Sequence, residues 1–168
     1  TSSFTGLGTI MSIRAAHKDV DMLAQALARA RAVVAQVEDE MSLFRPSSAL
    51  SQLNAAGVLH QPPAGLLQVL RMSQRMAEQS RGAFDVTVQP LWQLYANAQQ
   101  AGRLPHADEV AHVRQRVGWK GLHVDAQRVQ LRQAGMGVSL NGIAQGYAAD
   151  AVRVSLHRDG VAHALIHT

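Results

Sequence analysis

Apolar residues recur at helical spacing in three long windows of this chain. From residue 20 to 42, Leu23, Leu27, Ala30, Val34, Val37 and Met41 form one stripe, with Arg29, Arg31, Gln36 and Asp39 off it. That pattern predicts an amphipathic helix, with Asp19 or Asp21 placed to cap its start. After the break at Pro62-Pro63, a second helix runs from Pro63 or Ala64 to about Ser80. Its buried face is Leu66, Val69, Leu70, Met76 and Ala77, and Gly82 closes it. The third window follows Asn141, a good N-cap residue; there Ile143, Tyr147, Ala151 and Val154 share a face, and Gly160 ends the helix.

Shorter helices are predicted after Ser47 or Ser48 to Leu53-Asn54, from Pro90 to about Gly102, and over 107–117. The Pro90 helix presents Leu91, Leu94, Tyr95 and Ala98 as its apolar face. Residues 4–16 read as a strand pair or one long strand, with Gly6 and Gly8 allowing close backbone approach. Trp119 to Val124 and Arg128 to Leu131 read as a β-hairpin through Asp125-Ala126-Gln127. Val138 and Leu140 end a short buried strand, and Val161 to Thr168 alternates as another. Helices and strands are intermixed without regular βαβ alternation, so the class is α+β. No internal repeat or linker divides residues 1–168, which read as a single domain.

Composition narrows the function classes. Hydrophobic content of 47% over 168 residues supports a packed core, and no apolar run is long enough to span a bilayer. The absence of cysteine excludes disulfides, thiolate metal sites and a cysteine nucleophile. The net charge is +4, yet Arg29, Arg31, Arg71, Arg75, Arg114 and Arg116 are scattered, and aromatics make up only 4%. A nucleic-acid platform needs clustered charge and stacking rings, so this balance reads as solvated helix faces. Eight histidines include no HExxH motif, and His163 and His167 fall on a predicted strand.

Two stretches carry candidate chemistry. The turn and helix start at Ser139-Leu140-Asn141-Gly142-Ile143-Ala144-Gln145-Gly146-Tyr147 offers free amides and a positive helix end, which suit a phosphate. In Gly82-Ala83-Phe84-Asp85-Val86-Thr87-Val88-Gln89-Pro90-Leu91, the Asp85 carboxylate lies among apolar neighbours. It must either cap backbone amides or accept from a ligand. On the second alternative, Asp85→Ala weakens ligand binding more than it lowers stability.

Four segments in order carry a family resemblance. They are Gly6-Leu7-Gly8-Thr9; Glu40-Met41-Ser42-Leu43-Phe44-Arg45-Pro46-Ser47-Ser48-Ala49-Leu50-Ser51-Gln52-Leu53-Asn54; the Gly82–Leu91 stretch; and Ser139 to Asp150. Together they resemble the ApbE-type flavin transferases, which move FMN from FAD onto a protein threonine. The Asn-Gly-Ile-Ala-Gln-Gly-Tyr wording is most similar to the NosX-like branch, linked to nitrous-oxide reductase maturation.

The resemblance implies the family's T-fold-related architecture, here as its N-terminal portion and truncated at the C-terminus. It implies FAD contacts from Leu7, Phe44, Ala83, Phe84, Asp85, Ser139 and Gln145, with Thr87 as a supporting hydroxyl. Leu7 replaces the family's Met, Ser139 an Asp, and Gln145 a Lys or Glu. It implies a Mg²⁺ ligand at the Gly142 carbonyl. The other ligands and the catalytic histidine belong to the family's C-terminal part, so the catalytic role is not assigned to His163 or His167 and the catalytic residue is unassigned. The implied partner is an acceptor flavoprotein carrying a target threonine, and the implied compartment is the periplasm.

Three other functions fit the same residues: FAD binding or delivery without catalysis, Mg²⁺-dependent FAD hydrolysis, and a basic interaction domain with no cofactor. An unpaired final strand would allow pairing with another copy of the chain.

Overall fold

The computed structural model describes residues 1–167. The chain opens with β1 (Ser2–Gly6) and β2 (Thr9–Ala16), an antiparallel hairpin in register from Ser2↔Ile13 to Gly6↔Thr9. The reading of residues 4–16 as a strand pair therefore holds. Its two-residue loop is Leu7-Gly8, both at positive φ (53° and 76°), the geometry that matches strand twist. Gly6 is required by packing: a Cβ there would come within 2.8 Å of Val34 Cγ1.

The long helix α1 (Val20–Met41) follows, capped by Asp19, whose side chain accepts from Met22 N–H at 2.9 Å. Its stripe is buried much as the spacing predicts, although Leu23 and Leu27 are only partly covered while Ala26 and Glu40 are buried. Ser48 caps α2 (Ala49–Ala56), accepting from Ser51 N–H. Next comes β3 (Val58–His60), a strand too short for its pattern to be seen in the sequence. Helix α3 (Ala64–Gln79) starts after Pro63, which has no side-chain acceptor to offer. The buried Glu40 carboxylate supplies one instead, accepting from Leu66 N–H at 2.9 Å.

Met76, expected in the core, is 40% exposed, and Ser73 takes the buried position. Ser73 can be buried because its hydroxyl donates to the Val69 carbonyl one turn back. Helix α4 (Gln89–Gln100) buries only Ala98 fully, and Tyr95 is half exposed. Helix α5 (Ala107–Arg114) is shorter than predicted, because turns of the 3-10 kind take over at Gln115 to Val117.

Glu109 in the first turn of α5 takes both prongs of the Arg103 guanidinium (2.7 and 2.8 Å) and the His106 N–H. The Arg103 bonds, then the His106 bond, pull its carboxyl from the ordinary 4.5 down to about 2. A lowered carboxyl pKa stabilises the fold above the ordinary value and loses that contribution as pH falls toward about 2. An NMR titration of the Glu109 carboxyl is expected to find its midpoint near 2.

Trp119–Gly121 forms a 3-10 turn rather than the predicted strand, because Gly121 N–H bonds back to the Gly118 carbonyl. The hairpin is confined to β4 (Leu122–Val124) and β5 (Arg128–Leu131). The predicted strand at Val138–Leu140 is also absent. Val138 and Leu140 are buried, but the only bridge there is Gly137↔Val88, parallel, just before the segment, among the described residues. The Asn54 amide replaces a neighbouring strand, accepting from Val138 N–H (2.7 Å) and donating to its carbonyl (2.8 Å).

Helix α6 (Ala144–Arg158) begins with Ile143 in the cap position, so Asn141 is not the N-cap. Its buried face is Ala144, Ala148, Val152 and Leu156; the first three lie one position after the predicted Ile143, Tyr147 and Ala151, and Leu156 lies two after Val154. Ala144 and Ala148 are the small residues of this face at the larger core, and Val152 and Leu156 fill the core that α6 shares with α1. The last strand, β6 (His163–His167), pairs antiparallel with β2; Thr168, also expected in it, lies outside the described residues.

Two three-stranded sheets result, ordered β1-β2-β6 and β3-β5-β4. Each has its own core. Met11, Ile13, Ala26, Val34, Val152 and Leu156 join the first sheet to α1 and α6. Leu50, Leu53, Leu66, Leu70, Val129 and Leu140 join the second sheet to α2, α3 and the segment before α6. Helices α1 and α6 cross both cores, and Leu7 packs against both. Among the described residues, no helix is long and apolar enough to cross a membrane.

Candidate functional site

Where the two cores meet, three chain segments enclose a cleft of about 200 Å³. The β1–β2 turn contributes Leu7 and Gly8. The exit of α1 contributes Met41 to Phe44, and the start of α6 contributes Asn141, Ala144 and Gln145. Each arrives for a local reason. The positive-φ turn brings Leu7 over the core. The α1 stripe ends at Met41, and α6 begins where its small buried face starts.

Phe44 is 68% exposed, so the core does not account for the ring. The position a Cβ on Gly8 would take lies 3.8 Å from its Cε2. Ser42 shapes the loop that carries Phe44. Its Oγ accepts from Phe44 N–H (3.1 Å), and its carbonyl accepts from the Ser48 and Ser51 hydroxyls (2.5 and 3.1 Å). Among the described residues, no ionisable side chain lines the cleft.

The α6 start is suited to an anion. The Ala144 and Tyr147 amides bond back to the Leu140 and Ile143 carbonyls, while no side chain caps the amides between them. Free first-turn amides and the helix dipole attract negative charge. Gly142 opens onto a second groove, of about 680 Å³, walled by Met72, Met76, Ile143, Tyr147 and Val154. No atom lies within 4 Å of where its Cβ would be. Burial, and then the nearby Glu40 carboxylate, push the Tyr147 hydroxyl pKa upward, so the group stays protonated at neutral pH. Among the described residues, no group of three or more His, Cys, Asp or Glu is placed to hold a metal ion.

The structure thus brings Leu7, Phe44 and Gln145 into one cleft and sets Gly142 beside it. Ala83, Phe84 and Asp85 do not line that cleft. They form the loop between α3 and α4, where Ala83 is exposed and Phe84 packs on the larger core. Asp85 is held within its own loop. Its Oδ1 accepts from the Thr87 N–H (2.8 Å) and hydroxyl (2.7 Å), and its Oδ2 accepts from Trp119 N–H (2.9 Å). Thr87 Oγ1 in turn accepts from Gly118 N–H (2.8 Å). Ser139 stands beside this loop, its N–H donating to the Val86 carbonyl at 2.8 Å.

Sequence reasoning missed the Ser42 and Asn54 roles. Each sits inside a quoted motif, but neither spacing nor polarity reveals that Ser42 gathers the Phe44 amide and the Ser48 and Ser51 hydroxyls, or that Asn54 bonds the Val138 backbone 84 residues on.

A sequence profile of the ApbE family matches residues 7–168. The chain belongs to the ApbE family. It is 27% identical over 154 residues to an FAD:protein FMN transferase of Klebsiella pneumoniae (strain 342), covering 83% of this chain and 44% of that protein. The protein of the same name from Escherichia coli (strain K12) is 25% identical over 134 residues, covering 75% of this chain and 38% of the relative. The solved flavin transferase ApbE from Vibrio cholerae superposes with a TM-score of 0.88 at 23% identity, over 99% of this chain and 56% of its own. The fold is therefore the ApbE fold. The chain spans less than half the length of the curated relatives it matches.

Proposed function

We propose that this protein binds FAD and transfers its FMN moiety to a threonine of an acceptor protein. The observation that carries the reading is the cleft: an exposed aromatic ring faces a tight turn beside an uncapped helix start. A flat heteroaromatic ring fits Phe44 by stacking, with Leu7 giving apolar contact. Phosphate groups suit the free amides at the start of α6, and Gln145 can donate to or accept from the ligand without adding charge. The family's relatives, named FAD:protein FMN transferases, support the same substrate.

In the reaction, the threonine oxygen forms a bond to the FMN phosphorus. The bridging phosphorus–oxygen bond breaks, AMP leaves and the hydroxyl proton is released. The residues described here would hold and orient the FAD, which is a large part of what phosphoryl transfer asks of a protein. Mg²⁺ would draw off phosphate charge, with the Gly142 carbonyl as one oxygen ligand. One carbonyl is fewer oxygen ligands than that ion takes, so the rest would come from the phosphates of FAD and from the C-terminal ligands that the family resemblance implies. The Asn141 to Tyr147 wording supports a NosX-like member, with an acceptor in nitrous-oxide respiration and a periplasmic location.

FAD capture or delivery without transfer is a second reading, favoured by the lack of any ionisable side chain in the cleft. The deciding experiment is an FAD titration with and without Mg²⁺, followed by incubation with a threonine-bearing acceptor. Transfer predicts AMP release and flavin that stays on the denatured acceptor. Binding with no AMP supports capture, and AMP with free FMN supports hydrolysis. Absence of any FAD binding overturns the flavin reading.

A further inference from the structure

We infer that Glu38 and Arg45 are positioning residues of the cleft, an ion pair that sets the gap between the Leu7–Gly8 turn and the Phe44 ring. This rests on the flavin reading above. Leu7 is a non-glycine residue at φ 53°, in a left-handed conformation that side chains disfavour. What holds it there on the polar side is Glu38, whose Oε1 accepts from Leu7 N–H at 2.8 Å. The other carboxylate oxygen takes Arg45 Nη2 at 2.7 Å, and Arg45 Nη1 reaches Asp39 Oδ1 at 2.5 Å. Arg45 directly follows Phe44. A continuous set of bonds therefore runs from one wall of the cleft, through the last turns of α1, to the residue that fixes the other wall.

Helix energetics do not call for this arrangement. Three carboxylates near the C-terminal end of α1, Glu38, Asp39 and Glu40, oppose its dipole, and the last turn carries no basic residue. Arg45, from beyond the helix, supplies the compensating charge. The Arg45 and Asp39 side chains are 43% and 67% exposed, so that pair contributes little to stability, while Glu38, at 17% exposed, carries the bond to Leu7. Their geometric effect on the cleft is larger. The turn cannot move away from α1 without losing the Glu38 bond, and the Phe44 loop cannot swing out without losing the Arg45 fork.

The test compares Glu38→Ala, Glu38→Gln, Arg45→Ala and Arg45→Lys with the unaltered protein. It measures FAD affinity, the visible circular dichroism of bound flavin, and the urea midpoint. Both alanine variants are expected to lose about tenfold in affinity and to change the flavin dichroism, because a displaced wall misorients the ring. Arg45→Ala should leave the urea midpoint close to that of the unaltered protein, while Glu38→Ala, which leaves Leu7 N–H without its acceptor, should lower it by less than the loss of affinity implies. Glu38→Gln retains an acceptor for Leu7 N–H and should recover part of the affinity. Arg45→Lys keeps the charge without the two-pronged fork and should fall in between.

Unchanged affinity and dichroism in the alanine variants would overturn the inference and leave the flavin reading intact. Affinity that falls only in step with the urea midpoint would also overturn it, as a purely structural effect. Failure of the unaltered protein to bind FAD overturns the reading, and this inference with it.

Discussion

Asp85→Ala is expected to lower the unfolding free energy by about 2–4 kcal/mol, since hydrogen bonds to a charged group contribute more than neutral ones and the abandoned donors are left without partners. The carboxylate gathers two donors from Thr87 and one from Trp119. Thr87 is fully buried and passes the network on to Gly118. Removing Asp85 therefore loosens the loop before α4 and the turn before β4 together. A chain of this size should lose roughly 4–16 °C in melting temperature. Asp85→Asn should recover only part of this, because its NH₂ group would meet either the Trp119 N–H or the Thr87 donors. Calorimetric melts of the two variants check the ordering. A melting temperature within a degree or two of the unaltered protein would show that these bonds contribute nothing net. The expectation from sequence alone, that ligand affinity suffers more than stability, is reversed because these donors come from the chain itself.

Phe44→Ala is expected to do the opposite. The ring is 68% exposed, so its removal should change stability by less than about 0.5 kcal/mol, as at ordinary surface sites. Stacking of a flat heterocycle on an aromatic side chain contributes about 1–3 kcal/mol, so FAD affinity should fall roughly tenfold or more. Phe44→Tyr keeps the stacking face and should bind nearly as well. Isothermal titration with FAD, paired with urea unfolding, separates the two effects. A large stability loss with unchanged affinity would make Phe44 a packing residue.

Those two residues mark how far the candidate site can be read from sequence. Phe44 and Asp85 both stand out in motifs that resemble the family's flavin-contacting blocks. Only the fold reveals that one ring faces solvent while the other side chain is engaged by Thr87 and Trp119. Leu7 and Gln145 lie far apart in sequence, and no local pattern reports that they share a cleft with Phe44. The Glu38–Arg45 pair is equally hidden, since its distance in sequence suits many surface pairs.

The chain's periodicity by itself determined α1, α2 and α3, the opening hairpin and the α+β class, because each carries its own stripe, cap or turn. The ordered motifs determined the family. Tertiary structure decided what depends on a partner segment. It decided the face that α6 buries, since contact with α1 and the two cores selects Ala144, Ala148, Val152 and Leu156 over the flanking Ile143 and Val154. It decided that Val138 to Leu140 is not a strand, since the Asn54 amide takes the bonds a neighbouring strand would have made. It also decided the cleft, because a site built from three distant segments exists only once two cores have brought them together.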